Sequence, residues 1–192
     1  MDPVPDPPTT PLLATSAVLL VLFTAIASLD GLYLHLYRYR LYRRPASRRE
    51  HWLHTANALL FPPLCYLLYC AQPSGAYLWL ATSLAVATLA IEIADVRCEH
   101  ASRADLGGLG RNEYLLHFLM SGLRAGAIVP LLAGAPAEAW ALEQTRLQPQ
   151  PVWLALVGWC VGLPAVGTAV LHLVLALRPL PSAPGQPSPT AS

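Results

Sequence analysis

Five long apolar runs, parted by short polar stretches, set the pattern of this chain. They cover residues 11–29, 52–71, 76–94, 113–135 and 152–177. A helix needs about 20 mostly apolar residues to cross a bilayer, and each run comes near that length. In hydrocarbon only helices and closed barrels satisfy their own backbones. These runs are too long and too continuous for barrel strands. The pattern predicts an all-α integral membrane protein, a bundle of about five transmembrane helices within residues 11–178.

Local signals refine the boundaries. Pro11 suits a first helical turn, and the first helix is expected to continue through DGLYLHLYRYRLY beyond residue 29. Pro62 and Pro63 should kink the second helix. Ser47 and Glu50, in SRRE, read as a capping box before it. Asn112 is a candidate cap for the fourth, after the Gly-rich break at 107–110. Gly122/Gly126 and Gly158/Gly162 have the GxxxG spacing that lets helices approach closely. Residues 1–10 are expected to form an exposed Pro-rich tail, not a cleaved leader, and 179–192 a disordered Pro/Ser-rich tail.

Composition agrees with the membrane reading. The chain has 192 residues, 55% hydrophobic and 12% charged, where a soluble domain is about a quarter charged. A net charge of +1 gives no field that would gather nucleic acid. Four scattered cysteines show neither zinc-ribbon nor disulfide spacing. All 12 basic residues are arginine, and their placement predicts topology. Arg38, Arg40, Arg43, Arg44, Arg48 and Arg49 follow the first run, Arg97, Arg103 and Arg111 lie between the third and fourth, and Arg178 follows the fifth. Only Arg146 lies on the other side. The N-terminus is expected outside and the C-terminus in the cytoplasm, in a bacterial inner membrane.

The ionisable residues segregate to one end of the runs. At about 1.5 Å per residue, Asp30 lies near the cytoplasmic end of the first. Glu50, His54 and Asn57 open the second, and Glu92, Asp95 and Glu99 close the third. Glu113 and His117 open the fourth, and His172 lies in the last turns of the fifth. They also fall into stripes. Glu50/His54 and Glu113/His117 are i,i+4 pairs, and Glu92, Asp95 and Glu99 follow i,i+3,i+7. Ser121 and Arg124 extend the fourth-run stripe. Asp30, Tyr33 and Tyr37 form one on the first, with His35 falling off it. His100 is expected in the following loop. Such stripes should face the bundle interior, since charges facing lipid are costly.

So many carboxylates with a single arginine in reach would repel one another unless protonated or gathered around a cation. The candidate metal ligands are Asp30, Glu50, His54, Glu92, Asp95, Glu99, Glu113, His117 and His172. Arg124, Asn57, Tyr33 and Tyr37 are candidates for supporting them or meeting a substrate. This ligand set matches carboxylate-bridged di-iron or di-manganese sites in helical bundles, although those use Glu-x-x-His where this chain has Glu-x-x-x-His. The expectation is a metalloprotein holding iron, with manganese or zinc as alternatives. Its partners would be membrane lipids, a lipid-like or quinone-like small molecule, and a second copy of itself. Two other classes compete. One is a cation or proton transporter using the same polar cluster, and the other an assembly protein in which the cluster only locks helix packing.

Overall fold

The computed structural model describes residues 10–180. The tails expected over 1–10 and 179–192 lie almost wholly outside the described residues. Within them the chain is almost entirely helical.

The first apolar run forms α1 (Thr10–Ser28), and the Thr15 hydroxyl donates to the Pro11 carbonyl at 2.9 Å. The helix then widens into a π-helical segment, Leu29–Arg38. Arg40 takes a left-handed conformation, φ 51°, a region that L side chains visit as single residues. There the chain turns back through 3₁₀ turns at Leu41–Arg43 and Pro45–Ser47. α2 (Arg48–Cys65) runs through Pro62 and Pro63 and ends in a π turn, Tyr66–Cys70. α3 (Ala76–Ser102), α4 (Arg111–Ala133) and α5 (Val152–Ala176) complete the bundle.

Four stretches are long and apolar enough to cross a membrane: Pro11–Arg43, Ala76–Ser102, Arg111–Ala133 and Val152–Ala176. α2 is not among them, because Arg48, Arg49, Glu50, His51 and His54 crowd its first half. It is instead the most enclosed helix, packed along α3 and α5. α1 packs along α4 and touches α5, while α3 and α4 meet only sparsely. The helices thus follow one another around a ring, with α3 and α4 as its loosest seam. Val18, Val21, Val86, Leu89, Phe118, Leu163 and Val170 face outwards. A continuous apolar surface of this kind marks contact with a nonaqueous environment.

Two capping expectations fail. The Ser47 side chain caps nothing in α2; its hydroxyl donates to the Ser102 carbonyl at 3.2 Å. α4 begins at Arg111 behind Gly110, so Asn112 is inside the helix. Gly107 and Gly108, at φ 89° and 92°, reverse the chain there without any side-chain cap. α3 also outruns its expected end, placing His100 in its exposed last turn.

The end of the bundle away from the charged cluster holds the apolar core. Leu13, Ala17 and Leu20 of α1 pack with Leu64, Leu67, Leu68, Ala81, Ala127, Leu154 and Val161. Phe23 and Phe61 meet edge to face at 5.5 Å. Tyr69 is fully buried, and its hydroxyl donates to the Ala127 carbonyl at 2.7 Å with Ser16 Oγ 2.8 Å away, joining α1, α4 and the π turn after α2. Beyond it lies an element the apolar pattern did not predict, an antiparallel pair of β1 (Ala71–Ser74) and β2 (Arg146–Pro149). Four-residue strands stand at the lower limit of length at which alternation can be read. Gly75, at φ 58°, lets Thr145 close against it, since a Cβ there would lie 2.4 Å from the Thr145 hydroxyl.

The GxxxG glycines divide by what they meet. A Cβ at Gly158 would lie 2.7 Å from Cys70 Sγ and 3.1 Å from the Tyr69 backbone. One at Gly126 would meet Leu19 at 2.8 Å, and one at Gly122 would meet nothing within 4 Å. Gly158→Ala is therefore expected to destabilise the protein by about 1–3 kcal/mol through overpacking. Gly122→Ala should be neutral or mildly stabilising through helix propensity. Apparent melting temperatures of the two variants in the same detergent check this; equal shifts would refute it.

Candidate functional site

The π-helical segment builds the first part of the site. Its exit is marked by an i→i+5 bond, Tyr39 N–H to Leu34 O at 2.8 Å. In an α-helix, residues five apart point about 140° away from each other. The wider turn brings Asp30 and His35 to one face, and both are buried. The same widening turns Tyr33 and Tyr37 outwards, where they stack on each other at 5.9 Å, Tyr37 being 70% exposed. The expected stripe is corrected: His35 joins Asp30, and the two tyrosines leave the site. Long π segments are rare and concentrate at functional sites.

The i,i+4 pairs on α2 and α4 divide between two tasks. Glu50 and Glu113 are both engaged by Arg103, which is only 1% exposed. Its Nη1 donates to Glu50 Oε2 at 3.1 Å, while Nε and Nη2 donate to Glu113 Oε1 at 3.1 and 2.6 Å. Ser102 Oγ donates to Glu50 as well, and the Tyr39 ring lies 5.1 Å from the guanidinium. Burial disfavours the charge on Arg103, but Glu50 and Glu113 outweigh it and raise its pKa above the ordinary value. Arg103, counted in the sequence only as a loop charge, is thus the cation that clamps α2 to α4.

The histidines of the same pairs face the other carboxylates. His54 Nε2 lies 3.0 Å from Asp95 Oδ2. His117 Nδ1 lies 2.8 Å from Glu99 Oε1, and its Nε2 is 3.3 Å from Asp30 Oδ1. His35 Nε2 lies 3.6 Å from the same Asp30 oxygen and 3.8 Å from Glu50 Oε1. The His35 and His54 rings meet edge to face at 4.1 Å. Glu92 stands apart from this group. It pairs with Arg124 and accepts a hydrogen bond from Ser121, so Arg124 neutralises it across the α3–α4 seam. His172 is buried and stacks on His51, with ring centroids 5.4 Å apart.

With Glu50 and Glu113 on Arg103 and Glu92 on Arg124, three carboxylates remain: Asp30, Asp95 and Glu99. They surround His35, His54 and His117. One ligand atom from each of Asp30, His35 and His54 lies within 4.8 Å of the other two. Both oxygens of Asp30 and both ring nitrogens of His35 lack a hydrogen-bond partner among the described residues, as do both nitrogens of His51 and Nδ1 of His172. A buried polar group left unpaired costs about 1–3 kcal/mol, and native proteins rarely tolerate several together. Three imidazolium rings so close would repel each other. A divalent cation would satisfy the nitrogens and carboxylates at once.

A cavity of about 180 Å³ adjoins this cluster. Asp30, His54, Asp95, Glu99, His117 and His172 line one end, and Asn57 and Arg124 contribute to its wall. Three important residues escaped the sequence reading. His35 was hidden by the π-helical spacing. His51 lay between Glu50 and His54, off their shared face. Arg103 carried no signal, since a loop arginine of this kind ordinarily faces water.

No protein-family model, curated protein or solved structure matches the chain.

Arg103→Met would leave Glu50 and Glu113 buried without their cation. A loss of about 3–5 kcal/mol is expected, as for other broken buried pairs. Asp105 also pairs with an arginine, Arg44, but is 62% exposed, so Asp105→Ala should change stability by less than about 1 kcal/mol. Thermal unfolding in detergent distinguishes the two. An Arg103 variant as stable as wild type would show that the clamp is not needed.

Proposed function

We propose that this chain is an integral membrane metalloprotein with five spans, the N-terminus outside and the C-terminus in the cytoplasm. Its carboxylate–histidine site lies near the cytoplasmic face. The arginine distribution supports that orientation, since Arg146 alone lies at the opposite end. α2, too polar to cross unaided, would be carried by the helices around it. An inner bacterial membrane is the setting this topology suits.

One observation carries the metal reading: the convergence of Asp30, His35 and His54, with both Asp30 oxygens and both His35 nitrogens making no hydrogen bond among the described residues. Asp30 also faces His117, which contacts Glu99. Asp30, His35 and His54 would hold one ion, and Asp30, His117 and Glu99 would be the residues for a second. Mixed carboxylate and imidazole donors favour iron, then manganese; zinc is the alternative suggested by the number of histidines. Bound iron would supply oxidative chemistry with dioxygen on a lipid-like or quinone-like substrate. For insertion of oxygen into a C–H bond, dioxygen, two protons and two electrons from an external carrier yield the alcohol and water. The chain's own side chains would hold the ions, with Arg103 keeping Glu50 and Glu113 in place beside them.

Cation transport is less well supported. Ions crossing the membrane need a polar path through its outer half, where Leu13, Leu20, Leu64, Leu68 and Leu154 close the bundle. A purely structural role for the cluster leaves the unpaired imidazole nitrogens unexplained.

Metal content of the purified protein tests the proposal. About two iron or manganese ions per chain are expected, by analogy with bundled carboxylate sites. Asp30→Ala and His54→Ala should lose them, while Tyr33→Phe should keep them. A folded protein that takes up no transition metal when supplied with it would sink the proposal.

A further inference from the structure

The cavity beside the cluster has a chemically distinct far end. Away from Asp30, His54, Asp95 and His117 its wall is chiefly Phe23, Ala27, Ala58, Phe61, Leu64 and Ala165. Threonine hydroxyls occur along it, and their protons are already committed. Thr24 donates to the Leu20 carbonyl at 2.8 Å, Thr88 to Ala85 at 2.8 Å and Thr168 to Pro164 at 3.2 Å. Each hydroxyl bonds back to its own helix. The Arg124 guanidinium is occupied by Glu92. The far end therefore presents mainly methyls, rings and back-bonded hydroxyls, with the Asn57 carboxamide as an uncommitted polar group at its edge. A quinone carbonyl or a sugar hydroxyl placed there would lose its water and find little beyond Asn57 to replace it.

From this wall chemistry we infer that the far end of the cavity is a binding site for an unbranched alkyl chain, held with one of its carbons against the Asp30–His35–His54 cluster. The inference deepens the metalloprotein reading and rests on it only for the chemistry at the clustered end. Size agrees with it. An apolar cavity of about 150 Å³ stays dry and accepts benzene, so 180 Å³ suits a segment of roughly six carbons. Access agrees as well. Val96 lines the cavity yet is 51% exposed, so one side chain stands between it and the outer apolar surface. It lies on α3, beside the sparsely packed α3–α4 seam, which side-chain contacts of Glu92 and Glu99 hold together. A chain from the surrounding lipid could pass there without displacing tightly packed backbone. Of the substrates considered above, this selects the lipid-like class over the quinone-like one.

Photo-crosslinking of the full chain in nanodiscs tests the site, with dodecanol carrying a terminal diazirine as probe. Adducts are expected on Phe23, Phe61 or Met120. Excess unlabelled dodecanol should abolish them, whereas excess duroquinone should leave them. Ala58→Phe fills the far end and should remove them; Ala165→Leu, a smaller intrusion, should weaken them if Ala58→Phe does not fold. Adducts confined to outward side chains such as Val86 and Leu163, or competed away by duroquinone, would overturn the inference. Metal content measured on the same samples separates the two ideas. Metal-free protein with competable cavity adducts would overturn the metal reading and keep the alkyl site. Metal-loaded protein without such adducts would do the reverse.

Discussion

A guanidinium buried between two carboxylates decides how the charged end of this bundle can exist. Arg103 reaches Glu50 from α2 and Glu113 from α4 while standing at the end of α3. Each charge alone would be too costly to bury. Together they neutralise most of one another, with Ser102 donating a further hydrogen bond to Glu50. The clamp fixes three helix ends in one place. It also removes two acids from the charge balance, so the central group reduces to Asp30, Asp95 and Glu99 among three imidazoles. Glu92 and Arg124 do the same at the seam.

The bundle has two ends built on different physics. The apolar end is held by packing, with glycine at Gly158 letting α5 lie against the π turn after α2 and Tyr69 tying that turn to α1 and α4. Its stability comes from dispersion contacts and satisfied backbone groups. The inner end holds its helices apart with polar side chains, and the cavity lies between the two regimes. α2 takes part in both regimes, which explains its place among the other helices despite its polar first half.

Particular residues show how far the sequence could be read. The segregation of Glu50, Glu92, Asp95, Glu99, Glu113 and His117 to one end followed from counting along helices, because depth depends only on rise per residue. That His54 and His117 share a cluster with Asp95 and Glu99 followed from face and depth together; which histidine meets which acid did not. His35 did not follow. Its position depends on a switch from i→i+4 to i→i+5 bonding after Ser28, and apolar periodicity does not record the register of backbone hydrogen bonds. Arg103 did not follow either, since nothing local distinguishes a loop arginine that faces water from one drawn inward by two distant carboxylates. The short β1–β2 ladder pairs residues more than 70 positions apart and leaves no periodic trace.

The sequence by itself determined the helical class, the approximate helix positions and the end at which charge collects. Those depend on short-range quantities, namely hydropathy over about 20 residues and the helical rise. Only the tertiary structure decided which acids are neutralised by arginine and which face imidazoles. It also decided that Tyr33 and Tyr37 point outwards, and that the threonines along the cavity keep their protons for their own helices. The pairing of charges is set by which helices become neighbours, and in a bundle whose runs are almost equally apolar that choice is made by packing and by a few buried charges.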